Sequence, residues 1–332
     1  MAAEPLSELE VIEIIREMLP EPAPGVVVGP GDDAAVIDLA GARVILTVDA
    51  IHQGVHFTLD AYDLADVGWK AITSAVSDVA AMGGDPACAL VSAAFGYPPT
   101  EDEIRLLLRG VVEASAQCGC PIVGGDVCAS SDGLSLTVTV VGTPPEEGPV
   151  LRSGAGQGDE IGVTGTLGDS AGGLFVLKGR SDDLRSRFPR LVEVHLRPRP
   201  LLAAGKALAA AGVSAMADVS DGLARDISNI CRASKAGCEI AAENVPISEE
   251  LRALAGEAML DPLQMALAGG EDYQLLFTAP PATFGRAASA LEAIGVAVTR
   301  LGAIKEASSG VRLLGPDGRS SDMEGLGYDH FL

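Results

Sequence analysis

The chain has 332 residues, 48% of them hydrophobic and 21% charged, which is the composition of a folded globular protein and excludes a disordered one. Its formal net charge of -23 argues against nucleic acid as a partner, because such binding depends on neutralising phosphates with Lys and Arg. The sequence has no apolar run of roughly 20 residues and no signal peptide at Met1 to Pro5, so we expect a cytoplasmic protein without a membrane partner.

The first half of the chain predicts strands and helices that share one sheet. Ser7 with Glu10 and Thr100 with Glu103 have the spacing of capping boxes, in which a hydroxyl and a carboxylate satisfy the first amides of a helix. The first of these helices should end before Pro20. Apolar periodicity predicts a long helix over 63–82 and strands over 34–38, 43–48, 87–95, 121–123 and 134–140.

A proline-rich segment from Thr143 to Pro149 divides the chain, because three prolines in seven residues cannot lie inside a helix or a strand. Since the length also fits two domains, we expect domains at 1–150 and 151–332. The second half predicts strands over 159–164 and 273–278, a helix that ends at 178, and helices over 200–211, 221–235 and 284–294.

Aspartates recur beside glycines or at the ends of these elements, and seven of them stand out: Asp32, Asp33, Asp49, Asp78, Asp126, Asp218 and Asp221. Hard divalent cations prefer carboxylate oxygens and complete their coordination with water and substrate phosphates. Two carboxylates about 4 Å apart repel by about 1 kcal/mol in water and by more in an interior, so a convergent set needs cations to stay ionised at pH 7. The pattern therefore predicts a multi-Mg²⁺ phosphate site in the cleft between the domains. Asp32, next to Asp33 on a turn, should point the other way and is left out.

Each motif taken alone also has a simpler explanation. An aspartate beside a glycine is common in turns, and Asp218 and Ser220 could cap the helix that follows them. Arg152 could bind a phosphate between the domains or lie exposed after the linker, and His56 could have a purely structural role. The sequence contains no P-loop and no protein-kinase signature. Its six cysteines form no C-x-x-C pair, which argues against a zinc site and favours buried thiols.

In chain order, the segments that contain these residues resemble those of the thiamine-monophosphate kinase family over nearly the whole chain. The segments are Gly29–Ala35, Thr47–Asp49, Gly54–Phe57, Ser77–Gly83, Gly124–Asp126, Leu151–Gly154, Asp218–Leu223, Gly269–Tyr273 and Gly327–Phe331. Several of them are shared with the wider superfamily of aminoimidazole ribonucleotide synthetase, selenophosphate synthetase and a hydrogenase maturation protein. The last two segments favour the kinase.

The resemblance implies an α+β protein of two domains, with a mixed or antiparallel N-terminal sheet that forms a barrel across a homodimer and an α/β sandwich as the C-terminal domain. It implies ATP-dependent phosphorylation of thiamine monophosphate to thiamine diphosphate with Mg²⁺. The implied metal ligands are Asp33, Thr47, Val48, Asp49, Asp78, Asp126, Asp218 and Asp221. Those with a catalytic role are Asp78, Asp126 and Asp218. The implied ATP contacts are Gly125, Asp126, Arg152 and Ser220. The implied contacts to thiamine monophosphate are His56, Glu271 and Tyr328.

Two positions depart from the family pattern. Val48 stands where a Thr or Ser hydroxyl is usual, so only its backbone carbonyl could bind a metal, and Gly325 stands near where an aromatic residue often precedes the tail. The alternatives are another ATP-dependent synthetase of the same superfamily and a non-enzymatic protein that binds metal or nucleotide. The chain lacks a terminal cysteine tail and a glycine-rich N-terminal segment with a reactive Cys and Lys, which argues against two of the superfamily relatives.

The predicted chemistry needs no general base. A phosphate monoester has its second pKa at about 6, so its attacking oxygen is already ionised at pH 7. Such an acceptor suits motifs that are rich in Asp and poor in His and Lys. We therefore expect direct in-line transfer from ATP without a phosphoenzyme.

Overall fold

The computed structural model describes residues 6–19, 24–179 and 181–328, which contain two β-sheets that follow each other along the chain. The first sheet has the order β1-β2-β3-β6-β4-β5, and only β4 and β5 run parallel. Its strands are β1 Val26–Val28, β2 Ala35–Leu39, β3 Ala42–His52, β4 Asp85–Phe95, β5 Ile122–Ala129 and β6 Leu134–Thr143. The helices of this half are α1 Glu8–Met18, α2 Leu64–Ala81 and α3 Glu101–Cys118.

Local sequence signals explain where these helices begin and which face they bury. Both predicted capping boxes are present, at Ser7 for α1 and at Thr100 for α3. Helix α2 is buried on nearly all sides because its small and apolar residues pack between the sheet and α3. Val67 and Ile72 of α2 share a core with Val138 of β6. The long buried helix therefore carries its few polar side chains into the interior.

The second sheet is also mixed, with the order β13-β12-β9-β11-β7-β10-β8 and a single parallel pair, β12 with β9. Its strands are β7 Glu160–Thr164, β8 Ala215–Asp218, β9 Ala236–Ala241, β10 Leu275–Ala279, β11 Val298–Glu306, β12 Val311–Leu314 and β13 Ser320–Asp322. The helices of this half are α4 Asp169–Lys178, α5 Asp182–Arg187, α6 Pro189–Leu196, α7 Leu202–Ala211, α8 Leu223–Ser234, α9 Glu249–Ala258, α10 Pro262–Ala268 and α11 Pro281–Ala293. The predicted α+β fold of two domains with mixed sheets is confirmed.

Two of the strands that are longer than the sequence predicts contain aspartates of the predicted site. Strand β3 pairs with β6 as far as His52, so Asp49 lies inside the strand rather than beyond its end. Strand β5 pairs with β4 as far as Ala129 and contains Gly124, Gly125 and Asp126, which were expected to follow it. Pairing with a neighbouring strand outweighs the poor strand propensity of Gly and Asp.

The two halves meet closely along α2. A Cβ atom added to Gly205 of α7 would lie 2.1 Å from the carbonyl oxygen of Ala80, so these helices approach more closely than a larger residue permits. Ala81, Leu208 and Met216 share a core cluster that spans the junction. The C-terminal turn of α2 is thereby fixed against the second half of the chain.

The described part of the chain has no helix long and apolar enough to cross a membrane. The cytoplasmic location stays a prediction.

Candidate active site

Three of the predicted aspartates converge where the two halves meet. Asp33 precedes β2, Asp78 lies in the last turns of α2, and Asp218 ends β8. One oxygen from each carboxylate lies within 4.8 Å of the others. Because two of them come from the first half of the chain and one from the second, the group exists only when the two halves are packed together.

Each of these carboxylates has a polar neighbour that orients it. The Thr47 hydroxyl donates a hydrogen bond of 2.5 Å to Asp78 Oδ2. The Arg152 side chain donates to Asp33 Oδ1 from Nε at 3.1 Å and Nη2 at 2.7 Å. Asp33 Oδ2 is buried and has no hydrogen-bond partner among the described residues. A buried unpaired carboxylate oxygen is destabilising, and a bound cation would satisfy it.

Burial and mutual repulsion make this group costly to ionise without a cation. Burial, and next the charge of Asp33, raise the pKa of Asp218 to about 7. Burial, and next the charges of Asp218 and Asp49, raise the pKa of Asp78 well above its ordinary value. A cation replaces the protons that such a group would otherwise hold. The donor set consists of oxygen atoms alone, which suits Mg²⁺.

A cavity of about 650 Å³ lies between the two halves and joins this group to the predicted substrate contacts. Among its lining residues are Asp49, His56, Asp78, Asp218, Ser220, Asp221, Glu271 and Tyr328. The Tyr328 amide donates to the Asp221 carbonyl at 3.1 Å, which holds the start of the C-terminal tail at the cavity. Residues 329–331, which complete the terminal motif, lie outside the described part of the chain.

Two positions next to the carboxylate group of Asp33, Asp78 and Asp218 do not contribute a side chain to it. Thr47 is buried, whereas Val48 lies on the opposite face of β3 with 63% of its surface exposed, as the alternation of a strand requires. Asp32 is not a member of the group, and its two carboxylate oxygens each accept a hydrogen bond of 3.1 Å from the Arg152 amide.

Gly125 and Asp126 are not brought to the carboxylate group within one chain. Both lie on β5, an edge strand that is exposed from Val123 to Ala129, and neither lines the cavity. Asp126 pairs with Ser92 on β4, which pairs with Thr137 on β6, which in turn pairs with Ala50 on β3. Three strand spacings therefore separate Asp126 from the strand that carries Asp49, a distance of about 14 Å.

The simpler explanations considered for single residues fail in three places. Asp218 does not cap α8, because its Oδ2 accepts a hydrogen bond of 2.5 Å from the Ser77 hydroxyl of α2. The Ser220 side chain does not cap it either, since the N-cap residue is Gly222 and no side chain caps the helix. Arg152 is no exposed linker residue, since it pairs with Asp33. His56 does have a structural contact, because its Nδ1 accepts the His52 amide at 3.0 Å, and it still lines the cavity.

Sequence reasoning missed a buried polar cluster beside the cavity. Lys70 of α2 lies 2.7 Å from Glu271 Oε2, and the Tyr62 hydroxyl contacts His195 Nε2. His195 Nδ1 lies 2.9 Å from the Ser170 hydroxyl. A lysine inside an otherwise buried helix was the available signal, but nothing local indicates a partner in the other half of the chain.

A second missed residue is Asp226 of α8, which is buried and accepts hydrogen bonds of 3.1 Å from the amides of Ser220 and Asp221. These bonds shape the turn that carries both predicted site residues. Glu271, in contrast, was predicted, and its backbone has a left-handed φ of 65° that a non-glycine residue rarely adopts. Its amide donates to the Ser220 carbonyl at 2.7 Å, which holds it in this conformation.

Two family models match the chain, one in each half. The family model described as "AIR synthase related protein, N-terminal domain" matches residues 31–143, and the corresponding C-terminal domain model matches residues 156–314. Fold and site thus define a protein of the AIR synthase-related class.

The chain is 34% identical to thiamine-monophosphate kinase of Bacillus subtilis over 92% of this chain and 93% of that protein. It superposes on the solved structure of "AaThiL complexed with AMPPCP and TMP" with a TM-score of 0.86 and 33% identity, covering 98% of this chain and 97% of that one. The thiamine-monophosphate kinase structure from Stenotrophomonas maltophilia gives a TM-score of 0.77 and 33% identity, with 96% and 99% covered. The chain belongs to the thiamine-monophosphate kinase family, which confirms the resemblance.

Proposed function

We propose that the protein transfers the γ-phosphate of ATP to thiamine monophosphate and so forms thiamine diphosphate. Family membership supports this activity, as does the relative solved with AMPPCP and TMP. The structural observation that carries the proposal is the group of Asp33, Asp78 and Asp218 beside a cavity large enough for a phosphorylated ligand. Phosphate-handling sites of this kind bind Mg²⁺ through one or two carboxylates plus substrate phosphates.

Asp33, Asp78 and Asp218 would hold Mg²⁺, with Asp49 and Asp221 on the same cavity wall. When bound there, Mg²⁺ would neutralise the repulsion between acceptor and donor phosphates and align them for in-line transfer. The buried Thr47 and Ser77 hydroxyls keep the carboxylates Asp78 and Asp218 aimed at that position. Asp33, held by Arg152, has its second oxygen available to the cation.

The remaining predicted residues bind and orient the two substrates. Ser220 and Arg152 would contact ATP beside the metal group, and His56, Glu271 and Tyr328 would contact thiamine monophosphate. No side chain has to remove a proton, because the acceptor phosphate is already ionised at neutral pH. Direct transfer then follows, without a phosphorylated side chain as intermediate.

We further propose a homodimer in which the first sheets of two copies join into a barrel. Support comes from exposed apolar residues on this sheet: Val48 (63%), Leu90 (45%), Val123 (63%) and Val127 (73%). Exposed edge strands and apolar patches of this kind normally have a partner. Asp126 and Gly125 lie on the same edge strand, so a second copy would place them near the carboxylate group of its neighbour.

The activity is tested by measuring ADP formation with thiamine monophosphate and with a panel of other small monophosphates, each with and without Mg²⁺. The expected result is ADP formation that requires both thiamine monophosphate and Mg²⁺. ADP formation that depends on another substrate would favour a synthetase, and nucleotide binding without any turnover would favour a non-enzymatic protein.

A further inference from the structure

Lys70 is fully buried, with 0% of its surface exposed, although its side chain ends in an ammonium group. It lies on α2, eight residues before Asp78, and its Nζ is 2.7 Å from Glu271 Oε2. A buried ammonium group is strongly destabilising unless it is paired and hydrogen-bonded. Within the described part of the chain, Glu271 is the only carboxylate that forms an ion pair with it.

The ion pair between Lys70 and Glu271 links the two halves of the chain and uses only one of the two carboxylate oxygens of Glu271. Oε2 accepts the hydrogen bond from Lys70, whereas Oε1 accepts none from the residues that the structure describes. Glu271 lines the cavity with 24% of its side chain exposed, and Lys70 does not line it. A ligand in the cavity can therefore reach Glu271 but not the lysine behind it.

The two other side chains of this cluster, Tyr62 and His195, carry no charge that could replace Glu271. Lys70 Nζ lies 3.4 Å from the Tyr62 hydroxyl, which contacts His195 Nε2. Burial, together with the charges of Lys70 and Lys178, holds the pKa of His195 well below its ordinary value, so the imidazole is neutral. Burial, and next the charge of Glu271, raise the pKa of Tyr62, so the phenol keeps its proton. Lys70 is thus balanced by Glu271.

The strained backbone of Glu271 explains why its side chain has to be held by a neighbouring residue. Glu271 and Tyr273 both have left-handed φ angles, of 65° and 49°, within one short loop. Residues in this region are strained by roughly 1–3 kcal/mol and persist only where their surroundings hold them. The neighbouring Asp272 fixes the loop by accepting the amides of Gly168 and Ser170 at 2.6 and 3.0 Å. Lys70 supplies the corresponding restraint on the Glu271 side chain.

We infer that Lys70 is a positioning residue for the phosphate acceptor: it fixes one oxygen of Glu271, so that the other is presented to thiamine monophosphate, and never touches the acceptor itself. This role rests on the proposed function, because it takes Glu271 as a contact to that molecule. It also makes acceptor binding depend on the packing of α2 against the second half of the chain.

The test is the dissociation constant for thiamine monophosphate, measured by calorimetry with Mg²⁺ and a non-hydrolysable ATP analogue present. Lys70→Met should weaken acceptor binding at least about tenfold, while affinity for the ATP analogue changes less than about twofold. Glu271→Gln should weaken acceptor binding to a similar degree. In Lys70→Met/Glu271→Gln the loss should not exceed that of Glu271→Gln alone, because the lysine acts only through the glutamate.

The double variant is less prone to misfold than Lys70→Met, since it removes both buried charges together and leaves neither unpaired. If Lys70→Met alone does not fold, the role of Lys70 is tested by comparing the dissociation constants of Glu271→Gln and the double variant. Losses that multiply, or unchanged binding in Lys70→Met, would overturn the role of Lys70. Lys206→Met is the matched control, because Lys206 pairs with Asp85 across the two halves at 2.8 Å but lies exposed. A wild-type protein that binds thiamine monophosphate without forming ADP would contradict the proposed function alone.

Discussion

The Ser77 hydroxyl of α2 donates a hydrogen bond of 2.5 Å to Oδ2 of Asp218 at the end of β8, and this bond crosses from one half of the chain to the other. It favours the ionised form of a carboxyl group whose pKa burial raises to about 7. In the proposed Mg²⁺ site, Ser77 would therefore support metal binding without being a ligand.

Ser77→Ala should raise the Mg²⁺ concentration needed for half-maximal activity by about fivefold, because a more readily protonated Asp218 binds the cation less well. A thermal-shift titration with Mg²⁺ and no substrate should show the same displacement. Ser289→Ala, which removes an exposed helix hydroxyl, is the control and should leave both curves unchanged. An unshifted titration in Ser77→Ala would show that the bond has no part in metal binding.

Stability without metal should depend on pH through Asp218. Its folded pKa of about 7 lies above the value of about 3.9 that an unfolded Asp has, so ionisation destabilises the folded state. In EDTA, the melting temperature should therefore fall as pH rises from about 4 to 7, and Mg²⁺ should reverse the fall near pH 7. Asp218→Asn should show a smaller fall, whereas the exposed Asp102→Asn should behave like the wild type. Equal pH profiles for all three proteins would contradict this assignment.

In the proposed homodimer, the position of Asp126 on the edge strand β5 predicts that it acts on the neighbouring copy. Asp78→Asn and Asp126→Asn should each lower turnover at least about tenfold as homodimers, because each removes a charge aimed at metal. A purified heterodimer of the two variants should regain roughly half of the wild-type activity, since one of its two sites would contain both native aspartates. An inactive heterodimer would instead place Asp126 with the Asp78 of its own chain.

The close approach of α7 to α2 predicts a strong effect at one glycine. Gly205→Ala should lower the free energy of unfolding by about 1–3 kcal/mol, because the new methyl group would overlap the Ala80 carbonyl. Gly256→Ala on α9 is the matched control, since no atom lies within 4 Å of its added Cβ. That control should gain about 0.5–1 kcal/mol from better helix propensity. Urea denaturation measures both, and equal stability of the two variants would contradict the prediction.

The sequence predicts much of the first half of the fold because its signals there are local. Capping boxes at Ser7 and Thr100 indicate where α1 and α3 begin, and small and apolar residues over 63–82 predict α2. In the second half, the sequence patterns predict no separate elements for α5, α6, α9 and α10 or for β8, β9, β11, β12 and β13. Except for α9 and β11, these elements have at most eight residues, and such short elements depend on tertiary contacts more than on their own propensity.

The residues of the site likewise divide into those that local sequence patterns indicate and those that depend on contacts between distant parts of the chain. Asp33, Asp78 and Asp218 could be selected because such aspartates recur beside glycines or at the ends of predicted elements in both halves of the chain. The strand position of Asp126 depends on pairing between β4 and β5, which no local pattern encodes. Lys70 was missed because its meaning depends on Glu271, a residue 201 positions further along the chain. An ion pair between residues far apart in the chain produces no periodic pattern in a single sequence.

The two sheets are consecutive in the chain, and only the residues between Thr143 and Glu160 connect the end of one to the start of the other. Asp33 and Asp78 belong to the part before this connection and Asp218 to the part after it. Supplied as two separate polypeptides, the halves would each carry an incomplete set of ligands. Tight Mg²⁺ binding would then require that the two pieces associate, so it could be used to measure their reassembly.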